Sequence, residues 1–599
     1  MLPDSTGMTD PAGEAVLGVT RSVLGRRWVW RQADTRIGMA IAQRLDLPEL
    51  LGQLLAARGV TPEQAALFLE PTLRALLPDP SVLVDMDRAA ERLAQAVRAR
   101  EPVAVFGDYD VDGASAGALM LRFLRDLGCP VRHYVPDRLK EGYGPNPGAI
   151  AALCDGGATL LVCVDCGIAA HAALEAARGR ADVVVLDHHK AEGPVPVVAA
   201  AVNPNRLDCG SGLKHLCAAA VSFMAAVATL RALRRSGFFE GREPPDLRDL
   251  LDLVALATVC DVMPLTGLNR AFVTQGLKVM ARGERPGIAA LLEVAQAREA
   301  PSAYTLGFLL GPRINASGRI GEPDLGLRLL ACDDPVEARI MAERLDAVNR
   351  RRQEVESEVL AAAFAQAEAQ AGAGHPVLLI CGEGWHPGVV GIVAGRVKEK
   401  FNRPTCVAGI SDGLAKGSGR SVPGIDLGAA VIAARQSGLL ETGGGHAMAA
   451  GFSFRLERQE EFHAFLNERL SHAADLPGSA DLVVDGTLRV PAATAELATQ
   501  VARLGPFGAG NEEPVFIFPR VRVVRADRVG KEGNTVRAFL EGEGGGRLKA
   551  ICFRAKEGPL AELLLNSRGV PVHLAGALRA EHWNGNVSAG LHVQDGAPA

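Results

Sequence analysis

Between Pro102 and Ala331, short runs of consecutive apolar residues alternate with Ala- and Leu-rich stretches of helical spacing, and that alternation limits the fold most narrowly. Strands that are apolar without interruption are buried on both faces, which calls for a parallel sheet covered by helices. Each apolar run also ends in polar residues. Val103-Ala104-Val105-Phe106 enters Gly107-Asp108-Tyr109-Asp110-Val111-Asp112-Gly113, Leu160 to Val164 enters Asp165-Cys166-Gly167, and Val183 to Leu186 enters Asp187-His188-His189. A further apolar stretch, Leu253 to Cys260, delivers Asp261.

In open parallel α/β sheets, ligands bind outside the carboxyl ends of the strands. An extended backbone points side chains i, i+2 and i+4 the same way, so Asp108, Asp110 and Asp112 are expected to converge. Alone, that stretch also fits a surface acidic turn; four such ends favour a site. Carboxylates facing one point repel unless cations lie between them. Oxygen and imidazole donors suit Mn²⁺ or Mg²⁺ better than Zn²⁺. There are enough of them for two cations, one bridged, which points to a two-metal hydrolytic site.

The chain has 599 residues, 48% of them hydrophobic, enough for about four domains. No apolar run reaches the roughly 18 residues of a membrane span; Leu216 to Leu230 reads as a buried helix. Eleven cysteines scattered in apolar runs fit a reducing cytoplasm. Cys163 and Cys166 form a Cys-x-x-Cys with no second close pair, so zinc is not expected. A net charge of −5 argues against a generic nucleic-acid coat but permits a nuclease with a local basic groove.

Residues 1–27 lack a basic region followed by an apolar core, and are read as a disordered tail rather than a signal peptide. A helical segment over 28–100 and the α/β region over 101–331 follow. Asp334-Pro335-Val336-Glu337 announces a long helix, taken as 332–372. A second α/β unit, 373–476, carries two glycine-rich turns, Gly417-Ser418-Gly419 and Gly443-Gly444-Gly445, able to bring backbone N–H groups close to a phosphate. Residues 477–599 are strand-rich and read as a small barrel. Phe507, Phe553 and Trp583 are candidates there for base stacking or for core packing.

The triplet Asp187-His188-His189 with the segments above resembles the DHH phosphoesterase superfamily. Gly384-Trp385-His386-Pro387-Gly388, Gly417 to Ser421 and Gly443 to Gly451 resemble its associated DHHA1 domain. Gly311-Pro312-Arg313-Ile314-Asn315-Ala316-Ser317-Gly318-Arg319 and Gly505 to Asn511 resemble the RecJ-type single-strand-specific exonucleases. The order is unbroken from about Trp28 to the last residues. One departure is Asn511-Glu512-Glu513-Pro514, where the family commonly has Asn-Pro-x-Pro.

The resemblance implies DHH (101–331) and DHHA1 (373–476) lobes joined by the long helix, an OB-fold over 477–599, and two Mn²⁺ or Mg²⁺ ions in a cleft between the lobes. Asp110, Asp112, Asp165, His188 and Asp261 are the implied ligands, Asp165 bridging, and Asp108 is a further ligand or a partner of one. Asp187 would orient the imidazoles, and His189 would touch the scissile phosphate. Arg313, Asn315 and Arg319 would clamp phosphates, while Ser418, Arg420, His446 and Arg138 would hold the 5′ end of single-stranded DNA. The implied activity is 5′→3′ exonucleolytic hydrolysis to 5′-mononucleotides by a cytoplasmic monomer in DNA repair and recombination. A single-strand-binding protein and a helicase are candidate partners. The alternatives are a DHH phosphodiesterase or pyrophosphatase for short substrates, disfavoured by the long helix and barrel, and a non-catalytic scaffold, disfavoured because every acidic and imidazole position is filled.

Overall fold

The computed structural model describes residues 15–138, 140–191, 193–475, 480–530, 533–555, 557–583 and 585–599. They divide into two compact units: residues 70–354 with 506–512, and residues through Leu69 with 355–505 and 513–599.

The first unit is built on five parallel strands, β1 (Val103–Gly107), β2 (Val131–Tyr134), β3 (Leu160–Val164), β4 (Asp182–Leu186) and β5 (Ala200–Val202), in spatial order 2-1-3-4-5. Alternate side chains supply two cores. Val103, Val105, Leu160 and Val162 face one, with α1 (Val111–Asp126), α2 (Ala218–Arg235) and α3 (Leu251–Cys260); Ala104, Phe106, Leu161 and Cys163 face the other. Burial on both faces accounts for the unbroken apolar runs. The strand order reverses between β1 and β3, so the crevice for a ligand opens at the carboxyl ends of those two strands.

Two sequence expectations change here. The Leu253–Cys260 stretch lies within a helix, not a strand, and Asp261 is its C-cap. Asp108, Asp110 and Asp112 do not share an extended segment: β1 stops at Gly107, Asp110 caps α1 by accepting from Gly113 N (3.0 Å), and Asp112 lies in the first turn of α1.

One helix, α4 (Pro335–Gly372), runs for 38 residues, about 57 Å at 1.5 Å per residue. As its sequence predicts, Asp334 caps it, accepting from Val336 N and Glu337 N.

The second unit contains a mixed sheet in which Leu378–Glu383 pairs in parallel with Thr405–Ser411, followed by antiparallel Leu414–Arg420, Ala449–Arg455 and Thr442–His446. Both glycine-rich segments are therefore strands rather than turns. In the first of them the glycines serve close approach: a Cβ at Gly417 would meet the Phe452 ring at 2.5 Å, and one at Gly419 would meet Leu427 at 2.6 Å. The boundary expected at residue 476 lies outside the described residues.

A closed barrel completes this unit, with Phe516–Val529 pairing both with Thr535–Gly542 and with Pro571–Trp583. The expected tail is corrected for residues 15–27. Val16 and Val19 are buried with Trp28, Leu482, Ile517 and Ala575, and Trp28–Trp30 pairs with Leu482–Val484. The buried Trp28 Nε1 donates to Asp595 Oδ2 at 3.0 Å. Residues 1–14 lie outside the described residues.

Candidate metal centre

The polar ends of β1, β3 and β4, the first turn of α1 and the C-cap of α3 meet at the switch point of the sheet. His188 Nε2 lies 3.2 Å from Asp165 Oδ1, 3.5 Å from Asp112 Oδ2 and 3.6 Å from Asp261 Oδ2. Three sets of potential ligand atoms each fall within 4.8 Å: Asp108, Asp110 and Asp165; Asp112, His188 and Asp261; and Asp165, His188 and His189. The first two sets share no residue, and Asp165 is within reach of both. All six expected ligands thus come together, in clusters made only of Asp and His.

The backbone is shaped to hold them. Asp165 has φ +59° and Val262, directly after Asp261, has φ +57°. Left-handed conformations are costly for side-chain-bearing residues, most of all for a β-branched one, and such strain gathers at functional sites. Tyr143, which sequence reasoning missed, donates its hydroxyl to the Asp165 carbonyl (3.0 Å) and so fixes that turn. Asp112 accepts from Ala218 N (2.6 Å) and Ala219 N (2.8 Å), so the N-terminus of α2 orients it. Asn315 Oδ1 accepts from Val111 N at 3.1 Å and anchors the start of α1.

Burial pushes the Asp108 carboxyl up to about 8, with Asp110 adding to the shift, and pushes Asp261 up to about 8, with Asp112 and Asp110 adding. Asp112 and Asp165 move the same way, burial again first. Asp187 behaves oppositely. Burial would raise it, but the His189 side chain and the backbone N–H groups of Ile168 and His189 outweigh that and hold it below the usual range. Burial lowers His189, yet the Asp187 Oδ1 contact at 2.8 Å wins and lifts it to about 9.

Among the described residues, Asp108 Oδ1, Asp165 Oδ1 and Asp261 Oδ2 are buried and accept no hydrogen bond. Asp165 Oδ1 is near His188 Nε2 but outside hydrogen-bonding geometry. A buried acceptor without a donor is costly, and a cation satisfies it. The all-oxygen-and-imidazole donor set fits Mn²⁺ or Mg²⁺.

The expected phosphate contacts divide. Arg138 lies 5.3 Å over the Tyr109 ring and near enough to Asp108 to offset its charge. Arg319 lies in the same helix turn as Gly318, whose absent Cβ lets Tyr109 approach. Arg313 is committed elsewhere: Nε donates to Asp346 Oδ1 (2.9 Å) and Nη1 to the Leu309 carbonyl (2.7 Å). In the second unit, Arg420 Nη1 donates to Ser418 Oγ (2.8 Å), and both side chains face Gly391 in the helix Pro387–Phe401. His446 is exposed and lies two strands from Arg420, each paired with Ala449.

Comparison with known proteins places these features in a family. Residues 102–258 match the DHH family, N-terminal domain, residues 348–472 the DHHA1 domain and residues 484–595 the RecJ OB domain. The single-stranded-DNA-specific exonuclease RecJ of Dickeya dadantii is 40% identical over 516 residues, covering 84% of this chain and 88% of that one. The Escherichia coli protein of the same name is 38% identical over 519 residues, with the same shares. The crystal structure of RecJ in complex with Mn²⁺ from Thermus thermophilus superposes with a TM-score of 0.77 at 29% identity, over 95% of this chain and 79% of that one. A Mg²⁺ complex from that organism gives 0.73 at 27% identity, over 96% and 79%. With its ligand cluster at the switch point and its three domain matches in order, the chain belongs to the RecJ family of single-stranded-DNA-specific exonucleases.

Proposed function

We propose that this chain is a 5′→3′ exonuclease that hydrolyses single-stranded DNA to 5′-mononucleotides at a pair of Mn²⁺ or Mg²⁺ ions. The observation that carries the reading is the pair of ligand clusters linked through Asp165, with three buried oxygens that no donor satisfies. Asp110, Asp112, Asp165, His188 and Asp261 hold the ions, and Asp108 completes the first cluster. When bound, such ions acidify water and offset charge on a phosphoryl group.

The chain's own groups do the remaining work. Asp187 holds His189 by Nδ1, and the Tyr143 hydroxyl lies 3.2 Å from its Nε2, so the ring is fixed beside Asp165 for contact with a phosphate oxygen. Arg138 and Arg319 supply positive charge beside the Asp108 loop. Arg313 and Asn315 act by positioning, through Asp346 and through the start of α1. For polarity, the supporting feature is the Ser418–Arg420 pair facing the first turns of a helix beginning at Pro387, a setting that suits a terminal phosphate. His446 is a further candidate contact on that sheet.

A role in repair and recombination follows if a helicase supplies strands and a single-strand-binding protein presents them; a monomer suffices for the chemistry. All eleven cysteines are unpaired, which supports a reducing cytoplasm, and among the described residues no helix is long and apolar enough to cross a membrane.

The test is digestion in Mn²⁺ of a 5′-phosphorylated strand labelled at either end, beside a duplex and a dinucleotide. Early mononucleotide from the 5′ label, a shrinking ladder from the 3′ label and an intact duplex are expected. Cleavage of the dinucleotide alone would transfer the chain to the small-substrate phosphodiesterases.

A further inference from the structure

Aromatic residues make up 5% of this chain, and about half of its phenylalanines are buried core. Tyr304 and Phe308 are exceptions, 57% and 61% exposed. Their rings lie parallel, 5.0 Å apart at 22°. Among the described residues, no other exposed pair of large aromatic rings is stacked. Two apolar rings left in water in this way hold a flat π-surface ready without satisfying any core.

The local backbone ties that surface to the metal centre. Phe308 lies in a π-helical turn, Thr305–Leu310, a rare conformation associated with functional sites. The turn is seated on the end of α3, the helix that delivers Asp261: the Cys260 thiol donates to the Leu306 carbonyl (3.3 Å), and a Cβ at Gly311 would lie 2.6 Å from that sulfur. The next helical residues lead to Asn315 and its hydrogen bond to the start of α1. Val262, following Asp261 at the same end of α3, is also exposed (68%) and has a left-handed backbone.

We propose that Tyr304 and Phe308 form a stacking platform for bases of the strand being digested, a substrate contact outside the metal centre. The platform carries no charge of its own, so it engages base faces rather than phosphates, and every base has such a face. This inference rests on the nucleic-acid reading of the site and specifies how the strand is held close to the cut.

The test compares two 5′-phosphorylated strands of equal length, one complete and one with abasic positions replacing nucleotides 2 to 5. Binding is followed by fluorescence anisotropy in EDTA, and hydrolysis by KM and kcat in Mn²⁺. For the unaltered protein, removing the bases should weaken binding and raise KM at least about fivefold, the lower end for one stacked base. Tyr304→Ala with Phe308→Ala should impose the same loss on the complete strand and add nothing on the abasic one, whereas Tyr304→Phe should restore stacking. Equal response of both strands to the double substitution would overturn the platform, as would base-independent binding by the unaltered protein, which would point to a protein side chain as the occupant. Base-sensitive binding without mononucleotide release would uphold the platform and refute the exonuclease reading instead.

Discussion

Loading the metal centre should expel protons, and the number is set by the buried carboxylates. In the metal-free protein Asp108 and Asp261 titrate at about 8, because both are desolvated beside other acids. At pH 7 a group with that pKa is about nine-tenths protonated, so two of them release about 1.8 protons when cations take their places; at pH 9 the figure falls to about 0.2. Burial shifts Asp112 and Asp165 in the same direction. The apparent Mn²⁺ affinity should therefore climb steeply with pH near 7 and flatten above 9. The stability sign follows from the same shifts. Acids whose folded pKa is raised stabilise the fold fully below their unfolded values near 4, and that contribution fades as pH rises through about 8. Metal-free protein should lose Tm between pH 6 and 9, while loaded protein should not. Calorimetric titration with Mn²⁺ in buffers of different ionisation enthalpy counts the protons directly. Release of fewer than about half a proton at pH 7 would refute the picture of mutually repelling, protonated ligands.

Other perturbations probe single links. Asp187→Asn replaces an acceptor of four donors with a side chain that must present its own N–H to one of them, at a cost of about 1–3 kcal/mol. It should also lower the His189 titration midpoint seen by NMR. Arg285→Met strands the buried Asp252 carboxylate, which Arg285 contacts at 2.6 and 2.8 Å, and should cost about 3–5 kcal/mol in urea unfolding, with most of the loss recovered by adding Asp252→Leu. Gly311→Ala drives a methyl against the Cys260 sulfur, displaces the Asp261 end of α3 and should lower Mn²⁺ affinity; Cys260→Ala in the same chain should restore it. No change in affinity for Gly311→Ala would mean that α3 is not held where this contact puts it.

The apolar runs at β1, β3 and β4 are legible because they are four or five residues long and apolar on both faces. Leu253–Cys260 is not, since a fully buried helix has no polar face and its periodicity is indistinguishable from that of a buried strand. Length was the available signal, and inside it Thr258 accommodates the helix by donating to the Val254 carbonyl at 2.7 Å. The glycine-rich strands misled in the opposite direction. Glycine in sequence signals freedom to turn, whereas Gly417 and Gly419 are needed because Phe452 and Leu427 sit where a Cβ would be. Contacts between distant segments, such as Arg313 with Asp346 or Trp28 with Asp595, leave no local pattern at all.

The ligand set was legible for a reason separate from its geometry. Any path that brings Asp108, Asp110 and Asp112 to one crevice satisfies the chemistry, and an extended segment was the simplest path. The chain instead divides the three. Asp110 caps α1, a role announced by a polar residue three positions before Gly113 and an Ala-rich helical stretch. Entering a helix at that point turns Asp112 away from Asp108 and Asp110 and toward the N-terminus of α2, where it meets His188 and Asp261. One strand-to-helix junction thus feeds two neighbouring clusters, while an extended segment would have crowded three carboxylates into one. Asp165, pinned in a left-handed turn by Tyr143, is the side chain close to both. Room for a second cation is therefore a consequence of where α1 begins, and shifting that start by extending β1 through Asp110 should leave a site for one ion only.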